Sequence, residues 1–341
     1  MIDALVDAWV DGRAWFLDTV IGPGFYALGL MDRLEDAEAW VDFIALGLLQ
    51  VVVVWAVCRP FELARPVEPV TDHRSVRTDV TYTLLSRVGI LPLLLFVVFQ
   101  PLGIAWEALL ADMDIVPPTL ENFFPWLRDH PFAALLVYIV VLDFADYWRH
   151  RLQHSLNWWW ALHSLHHAQR QMTFWTDDRN HLLDDILTSA WLAGWAVAIG
   201  VPPGQFPLVL LVLRLVESFS HANARIDFGR VFGKLVVSPH FHRVHHAIDH
   251  ATPPHDRTHG CNFGVLFPVW DMIFGTARFS GPYPATGDLS GNERLARGVN
   301  LLRPCGGVHP DGRLDALPEV AAVEFVGERV PVHRFTVSID G

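Results

Sequence analysis

Apolar residues in this chain gather into four long runs separated by polar stretches. Residues 41–58 (VDFIALGLLQVVVVWAVC) are almost wholly apolar and stop at Arg59-Pro60. At a rise of ~1.5 Å per residue, such a run just crosses a ~30 Å hydrocarbon core as a helix. A second run, 82–105, is longer and carries Pro92 and Pro101, which a spanning helix tolerates when neighbours satisfy the freed carbonyls. A third, 131–148, starts apolar and becomes acidic and aromatic. Residues 186–219 form two apolar halves split by Pro202-Pro203-Gly204, a pattern that predicts a tight helical hairpin. Four such runs predict an all-α, polytopic transmembrane helical bundle.

Charge orients the runs. The segment after the first has Arg59, Arg65, Arg74 and Arg77, whereas the segment after the second has Glu107, Asp112, Asp114, Glu121 and Asp129 against Arg128. Arginine favours the cytoplasmic side, so 59–78 is expected inside and 106–130 outside. The third run then returns to the cytoplasm at Arg149 and Arg151.

Composition agrees with a lipid-facing surface. Of 341 residues, 52% are hydrophobic and 18% charged, less charge than a water-facing domain carries. A net charge of −12 without a basic stripe argues against nucleic acid as a partner. Cys58, Cys261 and Cys305 are too few for a four-thiolate cluster or a disulfide framework. The first forty residues are acidic and lack a cationic leader, so no cleaved signal peptide is expected. The expected organisation is an N-terminal membrane region with two spans (1–130), a catalytic domain (131–280) and a cytoplasmic tail (281–341).

Histidine changes the picture from architecture to chemistry. Of 18 histidines, 14 fall between His150 and His259. His150 and His154 form an HxxxH that shares one helix face. His163, His166 and His167 form an HxxHH, as do His242, His245 and His246. In each HxxHH the three rings are expected to converge from one side of a helix. A lone histidine is usually a core or surface residue, but eight in three ordered sets point to metal. Imidazole suits zinc, copper, iron and nickel, and eight ligands exceed the four of one structural zinc. Two metal ions are therefore expected. His181 and His221, flanking the hairpin, are candidates to complete the ligand set; His240, His250, His255 and His259 are left open. Asp146, four residues before His150, is a candidate to accept the second ring N–H of a bound histidine.

At these residues the chain resembles the fatty acid hydroxylase/sterol desaturase superfamily of membrane-bound di-iron oxygenases. Asp143 through His154 resembles that family's first histidine box, His163-Ser-Leu-His166-His167 its second, and Pro239-His-Phe-His242-Arg-Val-His245-His246 its third. Arg179-Asn-His181 and His221-Ala-Asn223 resemble its intervening positions, and Asn262-Phe-Gly264 with Trp270 through Thr276 its closing signature. The histidine- and proline-rich stretch from His250 to His259 departs from the family's short acidic linker.

The resemblance implies a cytoplasmic, histidine-rich helical cap over a dimetal site. It implies an oxidoreductase that uses O2 to hydroxylate or desaturate a lipid or sterol-like substrate. Lys234 is the one lysine among 25 basic residues, the usage of a GC-rich bacterial genome, so with the four apolar runs a multi-pass protein of a bacterial inner membrane is expected. Oxidising an alkyl C–H needs a redox-active metal, which zinc is not, so two iron ions are the expected cofactor. The catalytic set implied is His150, His154, His163, His166, His167, His242, His245 and His246. No Gly-rich dinucleotide fingerprint follows a strand, so electrons are expected from an external ferredoxin, cytochrome or reductase. The alternative is a zinc-filled, non-redox membrane protein of the same fold, acting as a hydrolase or a lipid-binding module.

Overall fold

The structure is a computed structural model that describes residues 2–29, 31, 34–88, 101–106, 108–115, 119–201, 206–248, 260–279 and 281–287. It is all-helical: among the described residues the only β pairing is an isolated bridge between Ala247 and Thr286. Helices α1 (Ile2–Phe16), α2 (Gly22–Leu28) and α3 (Leu34–Ala64) open the chain. α4 (His73–Arg87) follows, then a short α5 (Leu120–Phe123). The site is carried by α6 (Pro131–Ser155), α7 (Asn157–His167), α8 (Leu182–Ala198), α9 (Phe206–Ser220) and α11 (Pro239–His245). α10 (Gly229–Phe232) and α12 (Val269–Phe274) complete the set.

Among the described residues, two helices are long and apolar enough to cross a membrane, Trp40–Ala64 and Pro131–Ser155, each of 25 residues. At ~1.5 Å per residue each exceeds a ~30 Å core. The first has a mean hydropathy of 2.3 with only 17% of its apolar window buried, so Phe43, Leu49, Val52 and Trp55 face outward. It continues through Pro60, past the stop expected at Arg59-Pro60. The second is 44% buried, because its inner face packs Tyr138 and Leu142 against Ala196 of α8 and Val209 and Leu213 of α9. The predicted hairpin is thus two helices on either side of residues 199–205; Pro202 through Gly204 lie outside the described residues. At 17 and 15 residues its helices rise ~26 and ~22 Å, short of a full ~30 Å crossing.

The predicted run 82–105 differs at its start. Residues 82–87 complete α4, where Tyr82 and Arg87 are buried, and Arg87 pairs with Asp177 at 2.8 Å and Asp178 at 2.7 Å. That stretch anchors the turn at 174–178; residues 89–100 lie outside the described set. Gly47 explains how closely α4 approaches α3: a Cβ there would stand 2.0 Å from the Arg87 carbonyl oxygen.

The segment between α3 and α4 is knitted to the histidine-bearing loops. Glu62 accepts the Phe174 and Asn223 N–H groups, each at 3.0 Å. Asn223 accepts from Val67 and Glu68, and Glu68 pairs with Arg243 at 2.8 Å. Arg179 and Asp79 form a fully buried ion pair at 2.8 Å. At the other end of α6, the Tyr138 hydroxyl donates to Glu121 and contacts the Gly200 carbonyl. The Arg-rich segment therefore sits at the histidine end of α6, and Glu121 and Gly200 at the opposite end.

Candidate metal centre

α6 ends in His150 and His154 one turn apart, α7 in His163, His166 and His167, and α11 in His242, His245 and His246. His221 follows α9. Their ring nitrogens converge in two groups: His150, His154, His163, His167 and His245 in one, and His166, His221, His242 and His246 in the other. Within each group one ring nitrogen per residue lies within 4.8 Å of all the others. All of these rings are buried except that of His154, which is partly so.

Each HxxHH is divided between the groups, instead of converging on one point. In the first, the i and i+4 residues His163 and His167 join the five-histidine group, and the i+3 residue His166 joins the other. In the second the assignment is reversed: His242 and His246 enter the four-histidine group and His245 the five. Residues four apart share one helical stripe and the third position lies a step around it, so one motif reaches two centres.

The donor set fits metal better than it fits hydrogen bonding. His221 Nε2 stands 3.1 Å from His166 Nε2 and 2.9 Å from His242 Nε2, which is itself 3.1 Å from His246 Nε2. In the other group His245 Nε2 is 3.1 Å from His167 Nε2. One ring proton can bridge one such pair, not a ring of four. By contrast, ligands at ~2.1 Å from a shared ion stand ~3.0–3.4 Å apart. His150 Nε2 and His163 Nε2 are buried without a hydrogen-bond partner. Burial holds His166, His167, His242 and His246 well below the ordinary imidazole range, and neighbouring histidines push the same way. These rings are therefore neutral, with lone pairs available.

Backbone carbonyls and one carboxylate orient the rings. His150 Nδ1 is 2.9 Å from the Phe263 carbonyl, His245 Nδ1 2.8 Å from that of Cys261, and His221 Nδ1 2.7 Å from that of Glu217. His163 Nδ1 lies 3.1 Å from Asp184, which also accepts from Gln153 and Trp159. A donor at Nδ1 leaves the Nε2 lone pair for metal. Asp146, the expected acceptor, instead pairs with Arg149: one turn away on the same helix, Arg149 reaches it, while His150 turns toward Phe263. Sequence reasoning missed Asp184, although Asp184-Asp185 stand only three and four residues after His181.

The segment 261–276 supplies two of those carbonyls and is itself locked. Asp143 accepts from Leu266, Phe267 and the Trp270 indole. Asp271 accepts from Phe263, Gly264 and Thr276. Asn262, at φ 58°, donates to the Phe241 and Arg278 carbonyls. A Cβ on Gly264 would stand 2.7 Å from the Phe267 oxygen, so only glycine fits.

The remaining candidates lie elsewhere. His181 joins neither group; its Nδ1 accepts the Leu183 N–H and caps α8. His240 contacts the Gly281 carbonyl at 3.2 Å and the Tyr283 ring. His250, His255 and His259 and the tail beyond residue 287 are outside the described residues. A cavity of about 30 Å³ adjoins both groups, lined by His150, His163, His166 and His242, by charged groups that include Asp184, Arg214 and Glu217, and by Leu192, Leu210 and Leu213. That is room for about one water-sized molecule.

The fold and site define a helical protein with two adjoining polyhistidine centres, each suited to one metal ion. Residues 135–276 match the fatty acid hydroxylase family, the family that the three boxes resemble. The ornithine lipid hydroxylase OlsE of Rhizobium tropici is 23% identical over 270 residues, which cover 78% of this chain and 75% of that protein. The alkylglycerol monooxygenase of Homo sapiens is 28% identical over 240 residues, 69% of this chain and 46% of that protein. The methylsterol monooxygenase 2-2 of Arabidopsis thaliana is 28% identical over 150 residues, 42% of this chain and 52% of that protein. The chain thus spans about three quarters of the first relative and about half of the other two. No solved structure matches the chain significantly.

Proposed function

We propose that this chain is a multi-pass membrane oxygenase that uses two iron ions, O2 and an external electron donor to hydroxylate a lipid or sterol-like substrate. The observation that carries the reading is the convergence of nine imidazoles into adjoining groups of five and four. The ligands proposed from the geometry are those nine; His181, a tenth candidate from the sequence, joins neither group. The relatives named as lipid hydroxylase and monooxygenases favour a redox metal over zinc, and hydroxylation over desaturation.

Iron at this site would supply the O2 activation and C–H oxidation that no side chain can perform. The protein's part is to hold and orient. Asp184 and the Phe263, Cys261 and Glu217 carbonyls fix ring orientation, so the ligand nitrogens stay aimed inward. Leu192, Leu210 and Leu213 are the apolar part of a small cavity otherwise lined by the histidines and by charged groups such as Asp184, Arg214 and Glu217. The balance is R–H + O2 + two electrons + two protons → R–OH + water. Because the described site is all imidazole, the electrons come from a ferredoxin, cytochrome or reductase. The Arg-rich segment beside the site favours the cytoplasmic side for that face; the proposed location is the bacterial inner membrane, and the proposed catalytic unit is residues 131–280.

Lipid profiling of cells with and without the gene, under air and under nitrogen, tests the activity. A hydroxylated lipid that needs both the chain and O2 is the expected result. Zinc-dependent turnover that proceeds without O2 would replace this reading with the hydrolase alternative.

A further inference from the structure

The outward face of α6 carries a stripe at four-residue spacing: Phe132, Leu136, Val140, Phe144 and Trp148, followed by Arg151. Phe132 and Leu136 are exposed, at 87% and 57%. At ~1.5 Å per residue Arg151 stands ~28 Å above Phe132, about the thickness of a hydrocarbon core. Apolar residues, then tryptophan, then a cation is the order in which a helix meets lipid tails, interface and headgroups. Phe144 and Trp148 pack on Phe274 at 6.4 and 5.0 Å, which places α12 at that same interface level. Its Met272 and Ile273 are exposed.

A cleft of about 300 Å³ opens at this level, lined by Arg151, Ser155, Phe263, Phe274, Thr276 and Arg278. Arg151 is already held in place. Its guanidinium lies 5.4 Å over the Trp148 ring, and Nη1 donates to the Tyr147 hydroxyl at 3.0 Å. The neighbouring carboxylate, Asp271, is occupied by the Phe263, Gly264 and Thr276 donors. The volume is at the small end of ligand pockets, ~300–1,000 Å³, which suits a headgroup better than a chain. Phe274 lines the cleft and its neighbours on α12, Ile273 and Met272, are exposed apolar side chains, a surface that has no use for a soluble anion.

We propose that this cleft binds the phosphate of an anionic membrane lipid, with Arg151 and Arg278 as the recognising cations and the lipid's tails along Phe274 and α6. The inference rests on the membrane reading given above. It also deepens that reading, because Phe263 lines the cleft and its ring lies 5.3 Å from His154 and 5.7 Å from His245. A bound headgroup would thus sit one aromatic ring away from the five-histidine centre.

The test uses the full-length protein, loaded with iron, in phosphatidylcholine nanodiscs doped with phosphatidylglycerol. Native mass spectrometry counts the lipids each chain retains. The expected result is enrichment of phosphatidylglycerol that excess inorganic phosphate does not displace. The Arg151→Gln/Arg278→Gln double variant should lose that enrichment by about tenfold or more, since each basic group near an anionic surface contributes appreciably. Arg151→Lys/Arg278→Lys should keep most of it, and Arg230→Gln/Lys234→Gln, remote cations, should leave it intact. Metal content checks that each variant is folded. No preference in the parent protein, equal retention by the double glutamine variant, or displacement by free phosphate would each overturn the proposal. O2-dependent turnover is read separately: its absence with lipid preference intact counts against the oxygenase reading alone.

Discussion

The two histidine groups are neighbours made from the same motifs, yet they are supported differently. The five-histidine group has Nδ1 anchors on His150, His163 and His245, two of them carbonyls of the 261–276 knot. Phe263 packs against His150, His154 and His245 as an aromatic wall. In the four-histidine group only His221 is seen anchored, by Glu217, while Nδ1 of His166 and His242 has no hydrogen-bond partner, as is true of His167 alone in the five-histidine group. Behind it stand Asp177, Arg87 and Ser218, a charged layer. The contrast teaches that one group is positioned by a remote loop and the other by the foot of the hairpin, so the two should be separable by mutation.

The largest effects fall on the ligands. His245→Ala should empty the five-histidine group and His166→Ala the other, each abolishing turnover and lowering bound metal from about two ions to about one per chain. Membrane insertion should survive in both, because the apolar helices do not depend on these rings. Loss of both ions from either variant would mean that the groups bind as one unit.

Next come the anchors. Asp184→Asn and Asn262→Ala should weaken metal in the five-histidine group by about 10–100-fold, measured by chelator competition, and leave the second ion in place. Equal weakening of both ions would erase the distinction. Gly264→Ala forces a Cβ to 2.7 Å from the Phe267 oxygen and should cost about 1–3 kcal/mol in stability, read as a lowered Tm in detergent. The smallest effects belong to the tail: His309→Ala and His333→Ala should leave activity within error. Equal loss there would mean the histidines are not sorted into site and bystander.

Topology checks the premise that both groups share one face. Arg65 and Arg170 are exposed near the site, and Asn122 is exposed near the other end of α6. Cys58 and Cys261 are buried. After replacement of Cys305, cysteines at 65 and 170 should label together from the cytoplasmic side and a cysteine at 122 from the opposite side. Labelling of 65 and 122 from one side would contradict the orientation.

Much of this was legible in the sequence because spacing is geometry. HxxxH and HxxHH state which rings share a helix face, and the Pro-Pro-Gly break brings the second half of the hairpin back. The division of each HxxHH between two groups was not legible, since it depends on how α7 and α11 rotate against each other. The anchors at Phe263, Cys261 and Glu217 were hidden for a different reason: they are carbonyls, which every residue carries. Arg87 shows the limit of hydropathy. Its apolar neighbours made it read as the start of a span, and only the buried Asp177 and Asp178 reveal it as an ion-pair anchor.

The central claim is that nine histidines form two metal centres in one oxygenase site. Iron analysis of protein purified from iron-supplied cells, set beside O2-dependent product formation by the same samples, tests it most directly. The account predicts close to two iron ions per chain, with activity proportional to iron and unsupported by zinc. A single tightly bound ion per chain in fully active protein would contradict it.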